Sequence, residues 1–118
     1  MLESNLTTIG NKLKNYIPLV ENIYGKKLKK MILFGSYARM ENTDDSDIDI
    51  MIFLDVPHNQ ERNDIGILLD KTYDFNLEND VDIQPMTKSI SFFNKWKETL
   101  PFYKNIVKDG VILYDRTW

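Results

Sequence analysis

Two short stretches of this chain carry residue types and spacings that could do chemistry. They are Met31-Ile32-Leu33-Phe34-Gly35-Ser36-Tyr37-Ala38-Arg39 and Ser46-Asp47-Ile48-Asp49-Ile50. In the first, an apolar run ends at Gly35-Ser36. Glycine lets backbone approach a phosphate closely, the free N–H groups of a following helical turn face an anion, and the Ser36 hydroxyl can add a donor. In the second, Asp47 and Asp49 stand two residues apart. At strand spacing their Cα atoms lie roughly 6.5–7 Å apart and both side chains point the same way. Such a pair can hold two ions about 3.5–4 Å apart, the arrangement used for transfer at phosphorus. Magnesium suits it, because that ion takes hard oxygen ligands together with substrate phosphates. Without a cation the two charges repel each other, and one tends to protonate.

Each feature alone has a plainer reading. Asp47 and Asp49 could be the solvated face of an edge strand, and a lone Gly-Ser is usually only a turn. A calcium loop also alternates its acids, as Asp45, Asp47 and Asp49 do. That reading fails, since Ile50 stands where the loop needs glycine and Val56 where it needs a bidentate glutamate. What is informative is the combination: Gly-Ser after an apolar strand, ten residues, then Asp-x-Asp opening the next strand.

The elements that must position these residues can be read from periodicity. Leu6, Ile9, Leu13, Ile17 and Val20 recur as one face of an amphipathic helix, with Ser4 or Asn5 as its cap and Gly25 as its stop. Pro18 should kink or split it. Lys30 to Phe34 reads as a short buried strand, and Gly35 to Met40 as a short helix ended by the polar run Glu41-Asn42-Thr43-Asp44-Asp45. Ser46 to Leu54 is a second strand, with Asp47, Asp49, Met51 and Phe53 on one face and Ile48, Ile50, Ile52 and Leu54 on the other. Ile65, Leu68, Leu69, Tyr73 and Leu77 mark a helix returning across the sheet. Asp80 to Pro85 is a third strand with Asp82 and Gln84 on one face. A helical stretch from Ser89 to Asp109, interrupted at Pro101, precedes an edge strand at Val111-Ile112-Leu113-Tyr114. The order predicts an α/β (α+β) fold, a small mixed sheet with helices against it.

Composition narrows the rest. The 118 residues are read as one domain, 1–118, with an ordinary apolar share of 42%. With no cysteine, disulfides, thiol catalysis and cysteine–zinc sites are excluded. A net charge of −3 argues against gripping a nucleic-acid backbone. No apolar run approaches the roughly 20 residues that cross a bilayer, and Met1-Leu2-Glu3-Ser4-Asn5 lacks the pattern of a signal peptide. A cytoplasmic location is expected. The basic cluster Lys26-Lys27-Leu28-Lys29-Lys30 reads as solvated lysines at a helix C-terminus, or else as a patch for a triphosphate or an acidic partner. His58 reads as a loop residue on the surface and Tyr37 as a packing residue. The aromatics Phe92, Phe93, Trp96, Phe102 and Tyr103 read as core or as partner surface rather than a base-stacking platform.

Gly35-Ser36, ten residues and Asp47-Ile48-Asp49 match the G-S-x10-D-x-D signature of the polymerase-beta-like nucleotidyltransferase superfamily. The wider strings F-G-S-Y-A-R, S-D-I-D-I and G-V-I-L-Y resemble its smallest branch, the minimal nucleotidyltransferases. The resemblance implies a third carboxylate, for which Asp82 is the matching position, and a role for Arg39 in touching phosphates or bracing the loop. It implies ATP as donor and two Mg²⁺ ions on Asp47, Asp49 and Asp82, with Asp49 bridging both. Asp82 would also help deprotonate the acceptor, while Gly35, Ser36 and Arg39 position the phosphates. Met40 departs from the pattern, since many relatives have glycine there.

Larger members of the superfamily add a domain that presents the acceptor. A chain of this size is expected to borrow its acceptor site from another subunit. Minimal nucleotidyltransferases are commonly paired with a helical HEPN toxin, and the resemblance implies an antitoxin that transfers AMP to a tyrosine of that partner. Neutralisation by binding alone, or transfer to a small molecule or RNA end, are the alternatives. A neighbouring reading frame encoding a short helical protein with R-x4-6-H would favour the first.

Overall fold

The computed structural model describes residues 2–43 and 46–116, with side chains described from residue 9 onward. The chain opens with helix α1 (Leu2–Tyr24), followed after a short 3-10 turn by strand β1 (Leu28–Phe34) and a single helical turn, α2 (Gly35–Ala38). Strand β2 (Ile48–Leu54), helix α3 (Ile65–Asn79) and strand β3 (Ile83–Ser89) come next. Helices α4 (Ile90–Trp96) and α5 (Pro101–Asp109) lead into strand β4 (Val111–Asp115).

The four strands form one mixed sheet in the order β3-β2-β1-β4. β1 is antiparallel to both β2 and β4, and β2 is parallel to β3. Alternation along β2 decides what covers each face. Ile48, Ile50, Ile52 and Leu54 pack with Leu13, Tyr16 and Val20 of α1 and Leu68 and Phe75 of α3. Met51 and Phe53 pack on the opposite face with Phe93 of α4 and Tyr103 and Ile106 of α5. The sheet therefore lies between two helical layers, and burying each large side chain of β2 contributes about 1.5–3 kcal/mol. The expected α/β class with a mixed sheet is what forms.

Several expectations are corrected. α1 already runs through Ser4 and Asn5, so neither caps it. It also continues unbroken past Pro18, which sits on its exposed side. There the carbonyl of Lys14, left without its helical N–H donor, can turn to water. The side chain of Leu6 and the pair Asp44-Asp45 lie outside the described residues. β1 starts at Leu28, so Lys29 and Lys30 belong to a strand and only Lys26 and Lys27 to a turn. β3 begins at Ile83 and continues to Ser89, past Pro85, which an edge strand tolerates.

The largest correction concerns α3. Its buried residues are Leu68, Thr72 and Phe75, whereas Leu69, Tyr73 and Leu77 face outward. Thr72 can sit inside because its hydroxyl bonds the buried Tyr16 hydroxyl at 2.8 Å, which removes the cost of burying either group. That exchange rotates the helix away from the face its leucines and tyrosine would favour.

No helix among the described residues is long and apolar enough to cross a membrane. His58 is more than half exposed, as expected, yet it is not idle. It stacks on Phe92 with ring centroids 4.0 Å apart and bonds the buried Glu61 at 2.9 Å. Glu61 in turn accepts the backbone N–H of Ser89 at 2.8 Å, securing the far end of β3.

Candidate active site

Strand directions bring the distinctive residues to one end of the sheet. β1 ends there at Phe34, β2 and β3 begin there, and Phe34 pairs directly with Asp49. The Lys26–Lys30 cluster lies at the opposite end of β1, where Lys30 approaches Asp115 at 3.9 Å. It is therefore not part of this site, and the triphosphate-patch reading of those lysines is set aside.

Gly35 leaves the strand with φ +75°, a left-handed conformation that side chains rarely adopt. A Cβ at Gly35 would also fall on the Asp49 carboxylate, 3.2 Å from its Cγ. Glycine is thus required twice, once by the turn and once by the acid beneath it. The turn closes through Arg39 N–H to the Gly35 carbonyl at 3.2 Å and Glu41 N–H to the Ser36 carbonyl at 2.9 Å. Its N-cap residue, Phe34, makes no side-chain cap bond. Tyr37 packs into the core below, as expected. Met40 takes φ +59°, the conformation glycine would supply, so the loop keeps that path with a side chain present.

The parallel pairing of β2 with β3 places the third acid. Ile48 lies opposite Ile83, and its N–H donates to the Asp82 carbonyl at 2.8 Å. Asp47 and Asp82 are the residues just before that first pair, and their carboxyls are within hydrogen-bonding reach. Asn76 secures the register from α3, donating to the Ile83 carbonyl at 3.2 Å and accepting its N–H at 2.9 Å. Asp82 also accepts from the Gln84 amide at 2.7 Å.

Electrostatics mark these acids as strained neighbours. The hydrogen bond to Asp82 and its negative charge push the Asp47 carboxyl above the usual carboxylate range, and Asp49 adds to this. Asp49 is raised mainly by burial and also by Asp82, against the opposing pull of Arg39. Arg39 is exposed and bonds Glu41 through Nε at 2.7 Å, so the loop brace foreseen for it exists.

Among the described residues no three acidic, histidine or cysteine side chains converge into a ready-made metal cluster. The donor set nonetheless fits Mg²⁺. That ion is held by one or two carboxylates together with phosphate oxygens and water, and does not need a complete protein cage. Asp47, held above its usual range beside Asp82, and Asp49, held above it by burial, are groups that a divalent cation would relieve.

Beside Gly35 a pocket of about 230 Å³ opens between the turn and α5, lined by Phe34, Arg39, Phe102, Asn105 and Asp109 among others. Phe102 meets Phe34 edge-on at 5.7 Å. Nothing in the local sequence around Asn105 or Asp109 signals this placement. It follows from α5 crossing the face of the sheet that carries Asp49.

Comparison with known proteins agrees with this geometry. Residues 11–117 match the family described as polymerase beta, nucleotidyltransferase. A Methanocaldococcus jannaschii protein named "Putative protein adenylyltransferase MJ0604" is 35% identical over 102 residues, covering 86% of this chain and 94% of that one. A second protein of that organism, named "Putative protein adenylyltransferase MJ1379", is 44% identical over 50 residues, covering 42% of this chain and 48% of that one. Among solved structures, a mutant of the toxin-antitoxin MntA-HpeT superposes with a TM-score of 0.51 at 16% identity, covering 87% of this chain and 73% of that one. A toxin-antitoxin with AMP-PNP superposes with a TM-score of 0.50 at 22% identity, covering 92% and 74%. At these identities the two structures share the fold.

Proposed function

This chain belongs to the polymerase beta nucleotidyltransferase family, and from that premise we propose that it transfers AMP from ATP to a tyrosine of a HEPN-type toxin, as the antitoxin of the pair. The observation that carries the reading is the meeting of Gly35 and Asp49, with Asp47 and Asp82 alongside. A glycine turn and three acids share one end of the sheet. The name of the 35%-identical relative supports protein as the acceptor, and the toxin–antitoxin neighbours support a toxin as that protein.

In this reading the N–H groups of the Gly35–Ala38 turn and the Ser36 hydroxyl bind the β- and γ-phosphates. Arg39, which lines the pocket beside Gly35, takes a phosphate oxygen in this reading. Asp47, Asp49 and Asp82 would hold Mg²⁺, which when bound neutralises charge on the triphosphate and on the departing pyrophosphate. Asp82 takes the proton of the acceptor hydroxyl. The acceptor oxygen bonds to the α-phosphorus as the bond to the bridging oxygen of pyrophosphate breaks, in line and opposite the attack. The product is an AMP ester of the partner, with pyrophosphate released.

The test is the intact mass of the partner, taken as the product of the neighbouring reading frame and co-expressed with this chain. Wild type should add whole AMP units and Asp49→Asn none. An unmodified partner in a tight wild-type complex would replace this reading with neutralisation by binding. Full labelling by Asp49→Asn would remove the proposed chemistry.

A further inference from the structure

Helix α3 turns an apolar line away from the protein. Leu69, Tyr73 and Leu77 are 46%, 63% and 67% exposed, because the core takes Leu68, Thr72 and Phe75 instead. Residues four apart lie side by side along a helix, so the three form one continuous ridge. Each is followed in sequence by an exposed acid, Asp70, Asp74 and Glu78, which make a second ridge beside the first. Among the described residues, none of these three carboxylates forms an ion pair.

We infer that this double ridge docks an amphipathic helix of a partner protein. The partner's apolar side chains cover Leu69, Tyr73 and Leu77, and its lysines or arginines face Asp70, Asp74 and Glu78. Charge selects the occupant. A second copy laid face to face would bring two acidic ridges together, and a nucleic-acid backbone or anionic membrane would be repelled. A basic amphipathic helix satisfies both ridges at once, in the helix-against-groove manner of many protein partners.

The place of α3 in the fold gives the surface its consequence. The helix is about 22 Å long at 1.5 Å per residue, and its C-terminal end runs through Asp80 and Val81 into Asp82. Asn76 ties that end to β3 beside the acids. A partner helix lying along α3 is thereby led to the end of the sheet where Asp47, Asp49 and Asp82 stand. That last step rests on the partner being the acceptor; the docking itself does not.

The experiment measures affinity for the purified product of the neighbouring reading frame. It compares wild type, the triple variant Leu69→Ala/Tyr73→Ala/Leu77→Ala, and the triple reversal Asp70→Lys/Asp74→Lys/Glu78→Lys. The altered side chains are exposed and outside the catalytic group, and the thermal shift on adding MgATP checks that fold and site persist. The alanine variant should bind at least about 100-fold more weakly and the reversal at least about 10-fold, with the MgATP shift unchanged. Wild-type affinity in both variants overturns the surface, even if AMP is still transferred. So does the absence of any wild-type complex. Self-association of wild type that the alanine variant abolishes would make the occupant a second copy and overturn the assignment. Tight wild-type binding without AMP transfer defeats the proposed reaction and leaves the surface standing.

Discussion

The carboxylate of Asp49 occupies the space where a side chain on Gly35 would begin. Asp49 lies on β2 opposite Phe34, the last residue of β1, and Gly35 follows directly in the turn, so a shift of the turn is felt at the acid. Replacing Gly35 by alanine strikes both. It forces a side chain into a left-handed turn and drives Asp49 away from its neighbours. We expect Gly35→Ala to lower AMP transfer by at least about 100-fold, since displacement near 1 Å at a reacting group has that effect. Initial rates with MgATP, alongside circular dichroism to show the fold, check this; activity within a few-fold of wild type would separate the turn from the acid.

A second prediction concerns pH and metal. Asp47 and Asp49 are both held above the ordinary carboxylate range in the folded chain, Asp47 first by its bond to Asp82 and Asp49 first by burial. A carboxyl whose folded pKa is raised contributes stability below its unfolded pKa, near about 4, and loses it as pH rises through the folded value. In EDTA, wild type should therefore lose melting temperature relative to Asp47→Asn as pH climbs from about 4 towards neutrality. Mg²⁺ at neutral pH should recover more of that loss in wild type than in the variant. Parallel pH profiles for the two proteins would show that the pair is not under charge strain.

Met40 offers a test of backbone strain. A side chain at φ +59° costs about 1–2 kcal/mol, and glycine would return part of that through its freer unfolded state. Met40→Gly should gain up to about 1 kcal/mol in urea unfolding with unchanged activity, whereas Met40→Val should lose more than that. Equal stability of all three proteins would mean that the loop relaxes without cost.

Two buried tyrosines should respond in opposite ways. Burial pushes the phenols of Tyr16 and Tyr24 up to about 12. Tyr16 has a partner in Thr72, whereas among the described residues the buried Tyr24 hydroxyl has none. Tyr16→Phe leaves Thr72 unsatisfied and should cost about 1–2 kcal/mol; Tyr24→Phe should be neutral or stabilising by up to about 1 kcal/mol. The difference in urea midpoints between the two variants checks it.

How far the chain can be read without its structure depends on whether the decisive interaction is local. Gly35-Ser36 and Asp47-x-Asp49 were legible because each requirement is met within a few residues. A turn needs glycine, and the two acids fall at the start of one strand, although β2 begins only at Ile48 and Asp47 stands just before it. The two faces of β2 followed from the same alternation, with Met51 and Phe53 opposite Ile48, Ile50 and Ile52. The outward face of α3 was not legible, since it turns on a hydroxyl pair between residues 56 positions apart. Asn105 and Asp109 beside the Gly35 turn were hidden for a similar reason, as only the path of α5 across the sheet puts them there.

By itself, then, the sequence determined the α/β class, the turn at Gly35 and the Asp47–Asp49 pair, because periodicity and glycine freedom act at short range. Tertiary structure alone decided the register that sets Asp82, put forward by resemblance, beside Asp47, that Asn105 and Asp109 stand by the Gly35 turn, and that Leu69, Tyr73 and Leu77 remain outside. Those outcomes follow from strand register and side-chain pairing between distant segments, where burial of one residue is settled by the partner it meets.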